Sequence, residues 1–181
     1  PDEQIPSDPL NWAQSQITDQ IPEFAFKGKI YPEKELRKHY NKYVYQDRKV
    51  LRKKFKNDKM GYKAAKNKAR ADTGQKFWRN LEIAIRHKEA TSGSHPVLAK
   101  LWYFWGNHFT ISEKDFLAHY STGAYQRETI RANMNQTFEK LAYESTVAWA
   151  MIHHLDNAEN VGPQSEDARA EWRKRKKRPA T

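Results

Sequence analysis

The sequence predicts an all-α fold, and three observations carry that expectation. Apolar residues recur at three- and four-residue spacing along most of the chain. Aromatic residues are plentiful, with 6 Trp, 9 Tyr and 8 Phe, while valine is scarce, a mix that suits helix packing better than β-branched strands. No two alternating runs are joined by a hairpin turn. At 181 residues the chain suffices for one domain with a core. The expectation is an irregular bundle of about seven helices over residues 1–164, one of them long and basic. A basic loop or disordered tail is expected over 165–181.

Each element has its own signal. In "DPLNWAQSQI", Asp8 suits a helix cap and Pro9 the first helical position. From Glu33 to Phe55 the apolar stripe runs through Leu36, Tyr40, Tyr43, Val44, Val50, Leu51 and Phe55, with Lys and Arg on the outer face. Met60 to Ala71 is rich in Ala and Lys with a thin stripe, which fits a solvated extension or a mobile arm. Phe77, Trp78, Leu81 and Ile85 restore the stripe until "ATSGSHP" breaks it. Ser94 or His95 then caps a helix that starts at Pro96 and is expected to stop at Gly106. "SEKD" at Ser112 to Asp115 resembles a capping box. Gly123 begins another helical stretch, and a last long helix is expected from about Gln136 to Leu155. The tail "WRKRKKR" packs six cations into seven residues, which favours solvent over packing.

Composition bounds the chemistry. With no cysteine, disulfides, thiolate catalysis and Cys-ligated zinc are excluded. That absence fits a reducing and an oxidising compartment alike. No apolar run reaches the length of a membrane span and no signal-peptide pattern opens the chain. The first residue is Pro1, which points to a missing natural start. The net charge of +11 is uneven. Residues 27–88 carry 21 basic against 6 acidic side chains, whereas residues 1–26 and 89–164 are net acidic. Such a block attracts nucleic acid, an anionic glycan or a membrane surface, and charge alone does not choose among them. Its candidate contacts are Arg48, Lys49, Arg52, Lys53, Lys54 and Lys56, with Arg173, Lys174 and Arg175 in the tail. Tyr40, Tyr43 and Tyr45 would either stack bases or lie along a buried helix edge.

Candidate catalytic residues are few. His108, in "LWYFWGNHF", is either a general base in an aromatic-lined pocket or part of the aromatic wall itself. "MIHHLDN" brings His153, His154 and Asp156 together in sequence. Neighbouring helical residues point about 100° apart, so the two histidines cannot easily face one metal ion, and no metal site is assigned. Asp156 with Asn157 equally suits a helix-ending turn. Glu82, Glu128, Glu139 and Glu144 show no acid/base spacing. Phosphate-binding glycine loops, HExxH pairs and nucleophile elbows are missing.

Several of these segments together resemble a bacterial family labelled domain of unknown function 1800. They are "DPLNWAQSQI", "FWGNHFTIS", "GAYQRETIRANMNQTFEKL" and "MIHHLDNAENVGPQS", in the family's order. The chain departs from the family at Asn133, where a His is common, and at Ala148 and Trp149, where family members often read His-Pro. His154 stands where a Tyr is usual. The resemblance implies that this is the amino-terminal portion of a longer protein, which continues past Thr181 into an Asn-Glu-Asn…Ala-Arg-Glu helix. It names no activity or cofactor.

Three readings are open. The first is a helical scaffold or interaction module working beside a protein partner, exported or cytoplasmic. The second is an enzyme, such as a hydrolase, in which His108 and Asp156 join that further helix. The third is polyanion binding through residues 27–88 and the tail.

Overall fold

The computed structural model describes residues 6–17, 20–23, 26–113, 115–157 and 160–170. Its elements are helical: α1 (Pro9–Ser15), α2 (Glu33–Asn41), a π-helical turn π1 (Lys42–Asp47), α3 (Arg48–Lys54), α4 (Lys59–Asp72), α5 (Gln75–Ser92), α6 (Pro96–His108), α7 (Ala118–Ala124), π2 (Tyr125–Arg131), α8 (Phe138–Val147) and α9 (Trp149–His154). Since α2–π1–α3 and α7–π2 are each uninterrupted, residues 9–154 form eight helices. The fold is all-α, with no strand among the described residues.

The axle is the α7–π2 helix, packed against α2, α5, α6, α8 and α9. Its residues Tyr120, Ala124, Tyr125 and Ile130 are at most 1% exposed, and each large apolar side chain so buried stabilises the fold by about 1.5–3 kcal/mol. On one side Leu98 and Trp102 of α6 meet Tyr125, Ile130, Leu141 and Met151. On the other, Leu36 meets Tyr120 and Ala124 beneath a layer of Tyr31, Tyr40, Phe116 and Trp149. Two glycines allow this closeness. A Cβ on Gly106 would overlap the Gln126 amide, and one on Gly123 would overlap the stem of Glu82.

Four expectations change. The long basic helix passes through π1, whose wider i→i+5 turn shifts the period of the apolar stripe. Leu36 and Tyr43 are therefore buried, while no residue of α3 is and Val50 is 63% exposed. Helix α6 passes through Gly106 and ends two residues later, because this glycine serves a close approach rather than a stop. The "SEKD" segment does not open its helix directly; α7 starts at Ala118, where Asp115 Oδ1 accepts the Ala118 N–H at 3.0 Å. The last helix is broken at Ala148 (ψ 141°), so α9 sets off in a new direction with Ala150 and Met151 in the core. Elsewhere Asp8 caps α1 as expected, accepting from the Asn11 N–H at 3.0 Å. Residues 166–170 form a helical turn behind Ser165, and the rest of the expected tail lies outside the described residues.

Candidate functional site

His108 ends α6 inside an aromatic patch. The i, i+4 spacing of helix neighbours stacks it on Phe104 at 6.4 Å between ring centres. Trp105, Phe109 and Phe138 surround it at 5.7, 4.8 and 6.5 Å. Phe104 and Phe138 are themselves 58% and 59% exposed, so the patch faces solvent. All of His108's contacts among the described residues are with rings. A general base needs a group that orients its imidazole, and none is supplied here.

Asp156 belongs to the turn that follows α9. It occupies a left-handed conformation (φ 55°) just after α9, with its N–H donating to the His153 carbonyl at 3.1 Å. Short polar side chains tolerate this conformation in helix-ending turns. The two histidines before it reach one loop by different routes. His153 Nε2 lies 2.8 Å from Asp115 Oδ2, and His154 Nδ1 accepts from the Ser112 N–H at 3.3 Å. Burial alone would raise the Asp115 carboxyl. The Ala118 N–H and His153 outweigh that and hold it below the usual carboxylate range.

The basic residues form a different kind of surface. Helices α3 and α4 fold back on each other through the turn at 55–58 and contain no buried residue. Residues 42–73 carry 12 basic and 3 acidic side chains, a net +9. The acids are already engaged or sit at helix ends: Asp47 pairs with Lys42, and Asp58 caps α4 by accepting the Gly61 N–H at 2.8 Å. Lys49, Arg52, Lys53, Lys54, Lys56, Lys59, Lys63 and Lys68 are exposed, and among the described residues none has a carboxylate partner. Arg48 is half-buried. With Arg52 it binds the Tyr62 hydroxyl, and the hydrogen bond to Arg52 is the main reason that this phenol lies below its ordinary pKa. Two contacts moor the hairpin to the rest of the chain. Tyr43 Oη donates to the Lys66 carbonyl at 3.2 Å, and Arg70 lies 4.5 Å from the centre of the Phe116 ring. Tyr40 and Tyr43 pack inward, leaving Tyr45 as the exposed member of the tyrosine trio. Arg173, Lys174 and Arg175 lie outside the described residues.

With this geometry in place, residues 4–168 match the family described as "Protein of unknown function (DUF1800)". The chain belongs to this family. The match spans every element from α1 to α9. DUF1800 carries no assigned activity, and no curated protein and no solved structure matches the chain.

In this DUF1800 chain the side chains that organise the interior differ from the sequence candidates. Arg127 Nη2 binds Glu82 at 2.9 Å and the Tyr31 carbonyl at 2.8 Å, tying π2 to α5 and to the segment before α2. His119 Nδ1 meets the buried Gln75 amide at 2.7 Å, and burial holds this imidazole below its ordinary pKa. Sequence spacing does not mark these pairs, because their partners lie 44 to 96 residues apart.

Proposed function

We propose that this chain is a helical interaction module that captures a polyanion through the α3–α4 hairpin. The observation that supports it is the combination of a +9 charge with two helices in which no residue is fully buried. Like charges so concentrated repel one another, and packing contributes little to hold these helices. A polyanion laid along them relieves that repulsion and releases its own counterions. Seven of the eight exposed, unpaired cations are lysines. Lysine is a compact point charge without the planar fork of arginine, so the hairpin suits capture by charge density rather than readout of a pattern.

The test is binding of the chain to heparin and to a mixed-sequence DNA duplex over a range of salt. Both are expected to bind, and both to be lost steeply as salt rises. Substituting Lys49, Lys53, Lys54 and Lys56 by Gln should flatten the duplex log–log salt slope by about 3–4 without lowering the melting temperature. Absent or salt-insensitive binding would sink the proposal. A hydrolase reading draws no support from His108, whose neighbours are aromatic rings.

A further inference from the structure

A cleft of about 210 Å³ opens where α5 and α6 part above π2. Gly106 and Gly123 line its wall with Arg79, Glu82, Arg86, Asn107, Thr110 and Gln126 around them. Most of its charges are already matched. Glu82 is held by Arg127, and Arg79 Nη1 pairs with Glu113 Oε2 at 3.2 Å. Arg86 is left over. Its guanidinium lies 5.0 Å from the centre of the Tyr103 ring and has no carboxylate partner among the described residues. The side chains of Asn107 and Thr110 make no hydrogen bond to any described residue.

One buried polar group in the cleft is also unsatisfied. Gln126 is 7% exposed, and its Oε1 has no hydrogen-bond partner. Its Nε2 makes only a long contact, 3.4 Å, to the Gly106 carbonyl. A buried acceptor left without a donor costs about 1–3 kcal/mol. Gln126 lines the cleft, and its Oε1 has almost no accessible surface of its own, so an entering group reaches that acceptor only by turning the amide.

We propose that this cleft binds a small hydroxylated monocarboxylate of the sugar-acid class. Arg86 presents a planar fork that matches a carboxylate with two parallel hydrogen bonds. One spare cation matches one negative charge. A second charge, as on phosphate, finds no second spare cation, because Arg79 and Arg127 are already paired with Glu113 and Glu82. A ligand hydroxyl supplies the donor that Gln126 lacks, while Asn107 and Thr110 can give and accept hydrogen bonds to further hydroxyls. A neutral sugar leaves Arg86 unmatched, and an apolar acid leaves Gln126 unmatched.

The experiment is calorimetric titration of the chain with glucuronate, glucose and inorganic phosphate. Glucuronate is expected to bind at one site per chain, with glucose and phosphate each weaker by about tenfold or more. Arg86→Gln should weaken glucuronate by about tenfold, with Arg86→Lys in between because it keeps the charge and loses the fork. Asn107→Asp, at an exposed position, keeps the fold and sets a new negative charge in the cleft. It should weaken glucuronate by more than it weakens glucose, because only the acid meets the added charge. The hairpin variant lacking Lys49, Lys53, Lys54 and Lys56 should bind glucuronate normally. No saturation up to about 10 mM glucuronate, equal binding of glucuronate and glucose, or indifference to both Arg86→Gln and Asn107→Asp overturns the proposal. So does loss of binding in the hairpin variant, which would place the acid on the lysines.

Discussion

The α3–α4 hairpin and the α7–π2 axle are both helical, yet they rest on different physics. In the axle, Ala124, Tyr125 and Ile130 have no exposed surface, and even Glu82, which packs on it from α5, is neutralised by Arg127. In the hairpin no side chain of either helix is buried, and among the described residues its lysines have no acidic partners. Its shape is kept by a cap at Asp58, a phenol shared by two arginines, and a mooring on Phe116. One region commits its side chains to stability. The other leaves them free for something outside the chain.

The largest expected difference comes from truncating one apolar side chain in each region. Ile130→Ala should cost about 2–5 kcal/mol, whereas Val50→Ala should stay within about 0.5 kcal/mol. Chemical denaturation measures both, and equal losses would break the comparison. Next is the ion pair between α5 and π2. Glu82→Gln leaves a mostly buried guanidinium without its main partner and should cost roughly 3 kcal/mol, while Asp47→Asn, which breaks an exposed pair in the hairpin, should be almost silent.

Two tyrosines sharpen the contrast through pH. Burial pushes the Tyr125 hydroxyl up to about 12, and its proton is donated to the Phe109 carbonyl at 2.9 Å. The folded chain therefore keeps a proton that the unfolded chain loses near pH 10. Stability is whole below about pH 10 and falls as pH rises toward about 12, by at most about 3 kcal/mol. Tyr125→Phe should remove that slope. Tyr62 moves the other way, since Arg52 and then Arg48 favour its phenolate. In an ultraviolet titration Tyr62 should ionise before Tyr125, and a Tyr62→Phe variant should lose the earliest phase. The smallest effect is on the acid side. The His119 imidazole lies below its ordinary pKa through burial, so the folded chain resists a proton that the unfolded chain takes up near pH 6.5. Stability should decline slightly as pH falls through that value, and His119→Gln should flatten the decline.

The sequence displays the helices better than it displays the surfaces they face. Asp8, Pro9 and Pro96 mark helix starts through local chemistry, and each stands where the signal places it. The stripe from Leu36 to Phe55 misleads past Tyr43, because a π turn changes the period on which the stripe depends. Gly106 has the sequence character of a helix stop, and its use depends on Gln126, 20 residues later. The break at Ala148 has a faint sequence echo. Family members often carry His-Pro at Ala148 and Trp149, and a residue before proline avoids helical geometry; here the extended conformation persists without the proline. The basic candidates were legible because charge is a property of single residues. The Arg86–Gln126 cleft was not, since it exists only once α5, α6 and π2 meet.

The central claim is that the hairpin is held loosely in order to be completed by a polyanion. Hydrogen exchange of the whole chain, alone and with saturating heparin, tests it most directly. The account predicts fast exchange in residues 48–72 of the free chain against slow exchange in 120–131, with heparin slowing the first and leaving the second unchanged. Equal protection of the two regions in the free chain, or heparin protection that appears outside the hairpin and bypasses it, would contradict the account.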